Sequence, residues 1–561
     1  MNTPLILDHV LDHEASHPDR IYLTQPLGRG AVADYTWGQV LDQSRRMAAH
    51  LQSRGFPRGA RIAILSKNCA HFILAELAIW MAGYTTVAIF PTETAQTVGF
   101  VLGHSEASLL FVGKLDSWDA QKPGVPTELP RIAFPLAPES AQLDYEGWDE
   151  LVARTAPLTG RAQRAEDELA MIIYTSGSTG TPKGAMTSFR AITAAGAGFA
   201  AFTRAQTQTA EQGRVLSYLP LAHSFERSCV EASSLVDGNT HVFFAESLDT
   251  FLQDLHRAKP TVFISVPRLW LKFQQGVFSK MPPHKLDRLL SIPIVGKLVA
   301  KKVLKGLGLE HVVFAGSGSA PLPPELIRWY RRLGLKLYEG YGMTEDNSYS
   351  HTSYGEFAEP GFVGVPQKGV EVRLDGSGEV LIKSPAQFSG YYKQPELTRA
   401  SLTEDGFFRT GDLGERLPNG MLKITGRAKE LFKTAKGKYV APAPIENLLL
   451  SEPMVELAMV SGVGQPSAYA LVVLAEDLRP RTAEPSVRAQ VEQQLGALLK
   501  DVNARIADYE QLRMIVVARE PWTIENGSLT PTMKIKRARI ESDAAPQIEA
   551  WYASSGKVVW G

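Results

Sequence analysis

The chain has 561 residues, 44% of them apolar or aromatic and 21% charged, with 59 basic and 59 acidic side chains and a formal net charge of 0. That balance excludes a strongly basic nucleic-acid binder and a disordered polyelectrolyte, and the length allows about three or four domain-sized units. The two cysteines, Cys69 and Cys229, are too few for a disulfide framework and read as core thiols of a reducing compartment. Residues 1–20 carry acids and histidines where a secretory signal needs a basic start and an apolar run, so the expected location is cytoplasmic.

Helical and strand patterns alternate along the chain. The pattern predicts a strand over 61–65, a buried helix over 72–81 and a strand over 85–90. Glu76, Gly83 and two threonines interrupt the apolar run across 71–90, which argues against a membrane span. Short β-branched runs predict further strands over 109–112, 171–174 and 262–266, and such strands between helices imply α/β layers with largely parallel sheets. Proline and polar residues dominate 114–142 and predict a long surface connection.

After the apolar run 169–173 comes YTSGSTGTPKGAM, residues 174–186. Its backbone N–H groups, hydroxyls and one lysine together make a phosphate cradle. The spacing is not that of a Walker loop; a flexible Gly/Ser surface loop is the plain alternative. Residues 293–307 predict a basic amphipathic helix with Lys297, Lys301, Lys302 and Lys305, in which Ile294 and Leu298 spoil the separation of faces. A surface helix is the favoured reading and transient membrane contact the sharper one. After residue 361 the texture turns β-rich, and VEVRLDGSGEVLIK predicts two strands around a DGSG turn. A boundary is expected near 426–427. Beyond it, helices over 444–450 and 487–506 and strands over 456–460 and 469–473 predict a compact α+β unit, dividing the chain into 1–426 and 427–561.

Four further segments carry chemistry: KLYEGYGMTED (336–346), RTGDL (409–413), TGRAKELFKTAKGKYVAP (425–442) and LTPTMKIKR (529–537). With the loop at Tyr174, their order resembles the adenylate-forming superfamily from about residue 18 to about residue 540. YLPLAHSFER (218–227), FAGSGSAPLPP (314–324) and GYYKQPELT (from 390) resemble its long-chain fatty acid–CoA ligases. The resemblance implies an α/β enzyme with a large N-terminal domain of layered subdomains plus a β-rich one, and a small mobile α+β C-terminal domain hinged near Lys429. It implies a two-step reaction: a carboxylate and ATP give acyl-AMP and pyrophosphate, then CoA takes the acyl group and AMP leaves.

Residue by residue, the resemblance implies that Thr175, Ser176, Gly177, Ser178, Thr179, Gly180 and Lys183 hold the β- and γ-phosphates. Tyr341 stacks on adenine, Thr344 contacts the α-phosphate, and Glu345 binds Mg²⁺, which favours one carboxylate plus phosphate oxygens. Asp346 is either a second magnesium contact or a helix cap. Asp412 binds both ribose hydroxyls, and Arg427 contacts ribose and phosphate. Lys534 bridges the acyl carboxylate and the α-phosphate; Lys536 competes for that role, because Met533 stands where many relatives carry glycine. His223 lies near the acyl carbonyl or the thiol path, with a core histidine as the alternative. Phe225, Gly316, Ser317 and Gly318 shape the acyl pocket. After rotation of the C-terminal domain Gly437 lines the CoA path and Lys433 serves its phosphate or thiol side. ATP, Mg²⁺ and CoA are the implied cofactors and a fatty acid the implied partner, with no nucleic acid. Peripheral membrane contact and a homodimer stand as open expectations. The alternatives are an aryl or other specialised acid, an acyl carrier protein as acceptor, and a catalytically silent nucleotide sensor.

Overall fold

The computed structural model describes residues 4–176, 182–208, 211–530 and 533–561. Its largest sheet has eight strands, in the order Gly390–Tyr391, Pro182–Ser188, Leu169–Ser176, Thr85–Ile89, Arg61–Leu65, Ala107–Val112, Arg131–Ala133 and Glu146–Gly147. From Leu169–Ser176 onward every neighbouring pair is parallel. The helix Ala70–Met81 is buried at all twelve positions, as expected of a helix apolar all round. Its single acid, Glu76, ion-pairs there with Arg227, and Arg227 lies 3.4 Å from Glu231; all three side chains are 1% exposed.

Residues 114–142 correct the expectation of a surface connection. They contain the helices Trp118–Gln121 and Glu139–Asp144 and the strand Arg131–Ala133, which extends the sheet beside Ala107–Val112. The reason is packing: Trp118, Val125, Leu129 and Phe134 are buried, and these widely spaced anchors between prolines give no period to read.

A second sheet carries the parallel strands Val262–Ser265, Phe314–Ser317 and Leu337–Tyr341, followed by two short antiparallel ones. The β-rich texture after 361 becomes an antiparallel sheet of Glu371–Leu374, Glu379–Lys383, Phe408–Arg416 and Leu422–Arg427. Asp375 closes its DGSG turn by accepting from the backbone N–H groups of Ser377 and Glu379. The final α+β unit packs Pro485–Arg505 on the sheet Val455–Ser461, Ala468–Leu474, Leu512–Val517 and Val558–Trp560. Between the two sheets the turn Ala428–Glu430 joins Leu422–Arg427 to the short hairpin Phe432–Lys433/Tyr439–Val440.

The basic helix spans Val295–Gly306 and leaves Ile294 73% and Leu298 65% exposed. Among the described residues no helix is long and apolar enough to cross a membrane. Both cysteines are buried and unpaired.

Candidate active site

The strands and helices converge on one cavity of about 850 Å³. Leu169–Ser176 and Pro182–Ser188 form an antiparallel hairpin that sets Thr175 opposite Lys183 and pairs the backbone of Ser176 with Pro182. Thr175 and Lys183 both line the cavity. Gly177, Ser178, Thr179 and Gly180 lie outside the described residues. The Lys183 ammonium stands 5.7 Å over the ring of Tyr391, whose hydroxyl donates to Oε1 of Glu345 at 2.6 Å. Tyr391 thus fixes the carboxylate and flanks the cation.

Tyr341, Thr344 and Glu345 follow one another from the end of Leu337–Tyr341 into a short 3₁₀ turn and line the cavity. Asp346 does not line it. Its Oδ1 accepts the backbone N–H of Met343 at 2.9 Å, and burial pushes its carboxyl up to about 8. The cap is therefore the structural role of Asp346. Among the described residues no group of three or more His, Cys, Asp or Glu is placed to hold a metal ion. Of the glutamates that line the cavity, Glu345 is the one in the loop after Leu337–Tyr341 that also carries Thr344, and one carboxylate there suits Mg²⁺ completed by phosphate oxygens.

Asp412 sits behind the cavity wall. The Tyr341 hydroxyl donates to its Oδ2 at 2.6 Å, and Arg427 Nε lies 2.9 Å from its Oδ1. Arg427 is the last residue of Leu422–Arg427, opposite Asp412 in register, and Asp412 raises its pKa further.

Lys534 reaches the same cavity from the C-terminal unit, with Lys536 and Arg537 beside it. The preceding Met533 has φ +63, a left-handed conformation that glycine adopts without strain and methionine does not. Desolvation by the surrounding protein and the charge of Arg427 push the Lys534 ammonium down to about 8, while Asp412 and Glu345 oppose the shift. His223 faces Lys534 from the other side. Desolvation, then the charge of Lys534, lowers His223 to about 3. Its Nδ1 accepts from Phe225 N–H at 3.1 Å, which assigns the proton of the neutral ring to Nε2. His223 is a neutral hydrogen-bonding group here, neither a base poised near neutrality nor a cation.

The far end of the cavity is apolar. Phe225, Gly316, Ser317 and Gly318 are among the residues that line the cavity. A Cβ on Gly318 would come within 3.1 Å of the Phe225 ring, so glycine is what lets that ring lie against the strand end. Phe199, Phe202 and Thr203 of the helix Phe189–Thr207 complete this arm with Ile264, Phe314 and Tyr338. Sequence reasoning missed this helix and Tyr391. The signal was its AAGAGFAAF run: a Cβ on Gly196 would meet Ala232 O at 2.6 Å and one on Gly198 the Tyr349 ring at 2.3 Å. Small residues there mark a helix pressed against its neighbours.

Lys429 lines the cavity; Lys433 and Gly437 do not. Gly437 lies in the exposed turn of the hairpin at φ +77, where its N–H donates to Thr434 O. The structure therefore presents Lys534, not the KTAKGKYV loop, to the cavity.

The AMP-binding enzyme family matches over residues 11–392, and the family of AMP-binding enzyme C-terminal domains over 430–556. The chain is 31% identical to the long-chain-fatty-acid–CoA ligase FadD15 of Mycobacterium bovis, over 97% of this chain and 96% of that one. It is 30% identical to long-chain-fatty-acid–CoA ligase 1 of Homo sapiens, over 93% and 83%. Its fold is similar to the adenylation domain of a carboxylate reductase from Mycobacterium chelonae, with a TM-score of 0.80 and 22% identity over 99% of this chain and 92% of that one. A benzoate CoA ligase from Burkholderia xenovorans superposes with a TM-score of 0.75 at 22% identity, over 96% and 100%. The arrangement of sheets, cavity and C-terminal unit agrees with these matches across nearly the whole length, and the chain belongs to the AMP-binding enzyme family.

Proposed function

We propose that this enzyme is an ATP-dependent fatty acid–CoA ligase for medium- to long-chain acids. The observation that carries the reading is the division of one cavity: cations and a metal-suited carboxylate at one end, phenylalanines and small residues at the other. A carboxylate oxygen attacks the α-phosphorus, forming the acyl–phosphate bond as the bond to pyrophosphate breaks. The CoA sulfur then attacks the acyl carbon and AMP leaves. Both anions must be brought together in the first step, so neutralisation and alignment matter more than proton transfer. Lys534 supplies a mobile point charge at the junction of the two ends, Lys183 and Thr175 face the phosphates, and His223 offers Nε2–H to a carbonyl or carboxylate oxygen. Glu345 would hold Mg²⁺, which when bound would supply charge neutralisation at the triphosphate.

Tyr341 stands for the adenine platform and Asp412 with Arg427 for the ribose site. In the presented geometry the C-terminal unit, taken as 427–561 with its hinge at the Lys429 turn, is set for adenylation; bringing Gly437 to the cavity is the second arrangement. The similarity to carboxylate reductase and benzoate ligase structures lies in the fold. The relatives at about 30% identity are long-chain-fatty-acid–CoA ligases, which favours an aliphatic chain over an aryl ring. The exposed Ile294 and Leu298 beside four lysines support peripheral contact with anionic membranes, where an amphiphilic acid would be collected. Co-sedimentation with anionic vesicles tests that part, and background binding would remove it.

The experiment for the main reading is AMP formation with Mg-ATP and CoA across saturated acids of increasing length, with benzoate and cinnamate alongside. A maximum at an aliphatic length supports it; preference for an aryl acid, or adenylate formed but not passed to CoA, would overturn it.

A further inference from the structure

A second, smaller cavity of about 50 Å³ lies beyond the apolar arm. Among the described residues only Thr203 and Cys229 line both cavities, so these two side chains stand where the one meets the other. The smaller space is lined by Ala200, Val215, Val230 and Val262 together with polar side chains such as Thr207, Ser233 and Thr240, and Arg204 and Asp237 form an ion pair at its edge. It is about a third of the 150 Å³ that holds a benzene ring, and so has room for roughly two carbon atoms.

Both partition residues are held by rigid neighbours. Thr203 lies in the last full turn of Phe189–Thr207, where its carbonyl accepts from the Thr207 hydroxyl. Cys229 lies in the π-helical turn Arg227–Ala232, all six of whose residues are buried. A π turn widens the helix locally and is uncommon outside functional sites. Here Arg227 anchors it through Glu76, Glu231 and the carbonyl of Leu221. A wall built on two such elements does not yield readily to a longer ligand.

We infer that Thr203 and Cys229 gauge the methyl end of the acyl chain, setting its length limit by walling it off from the small chamber behind them. The inference rests on the fatty acid reading above. It makes Thr203 and Cys229 specificity residues remote from the reacting atoms: they change which chain fits and leave the adenylation chemistry alone.

The test is kcat/KM against chain length for the full enzyme, Thr203→Leu, and the double variant Thr203→Ala with Cys229→Ala. Thr203→Leu fills the junction. Its optimum should shorten by about two carbons, with the longest accepted acid losing about tenfold or more and shorter acids unchanged, since a single methylene slot is worth at least that. The double variant joins the chambers, and its optimum should lengthen by about two carbons. If both variants keep the parent's length profile, the inference falls while the fatty acid reading stands. If the parent enzyme shows no aliphatic optimum and prefers aryl acids, both fall. Should Thr203→Leu lose activity equally at all lengths, the double variant decides: an unmoved optimum there overturns the gauge.

Discussion

Replacing Arg227 with methionine removes the only cation from a buried cluster. Glu76, Arg227 and Glu231 are each 1% exposed. Burial and the neighbouring Glu76 hold the Glu231 carboxyl well above the usual range, and Arg227 is the cation that faces both acids. Arg227→Met leaves the Glu76 charge without a partner, and it also deletes the bond to Leu221 O at 2.9 Å and the guanidinium 5.2 Å over Phe72. Breaking a buried pair from one side costs about 3–5 kcal/mol. With a denaturant slope near the upper end of ~1–3 kcal/mol/M in urea, the midpoint should fall by about 1 M or more. Trp80 follows the transition, since it lies on the same helix as Glu76. Adding Glu76→Gln to Arg227→Met removes the stranded charge and should recover most of the loss. A single variant within about 0.5 kcal/mol of the parent, or a double variant worse than the single, would refute the charge argument.

Four further outcomes follow from the site residues. Lys534→Ala should abolish adenylation yet keep thioester formation from supplied acyl-adenylate; equal loss of both half-reactions would contradict its role. With the ammonium at about 8, adenylation by the free enzyme should decline as pH rises through about 8, because deprotonation removes the charge that faces two anions, and Lys534→Arg should move that limb beyond the measured range. His223, at about 3, stays neutral across working pH, so no limb between pH 5 and 7 should vanish in His223→Gln; a vanished limb would show a titrating histidine. Gly437→Leu should spare adenylation and block transfer to CoA, and intact CoA turnover in single-turnover assays would remove Gly437 from the thiol path.

Much of this was legible before folding. The strand over 61–65 coincides with the observed Arg61–Leu65, and the helix and strand expected over 72–81 and 85–90 differ by a residue or two from Ala70–Met81 and Thr85–Ile89. Their apolar runs are long and bounded by glycine, so period and length agree. Residues 114–142 were opaque because Trp118, Val125 and Leu129 anchor them singly. At the site, Lys183, Glu345 and Lys534 sit in compact motifs and could be named. Tyr391 could not, since its value lies in reaching Glu345 from 46 positions away. Asp346 shows the reverse case: a carboxylate in the GYGMTED motif that is buried and caps the Met343 N–H instead of facing the cavity. The acyl arm draws on helix, strand and π turn together, and only their packing brings Phe202 against Phe314.

Both oxygens of Asp412 are already occupied, one by the Tyr341 hydroxyl and one by Arg427. On the proposed reading a ribose arriving there does not enter an empty socket; it trades one set of partners for another. Hydrogen bonds made by exchange contribute only their difference to affinity. On that reading the enzyme would hold its nucleotide less tightly than the number of contacts suggests, and each departing AMP would leave behind a carboxylate whose old partners are at hand, which would favour release at the end of every cycle over retention of product.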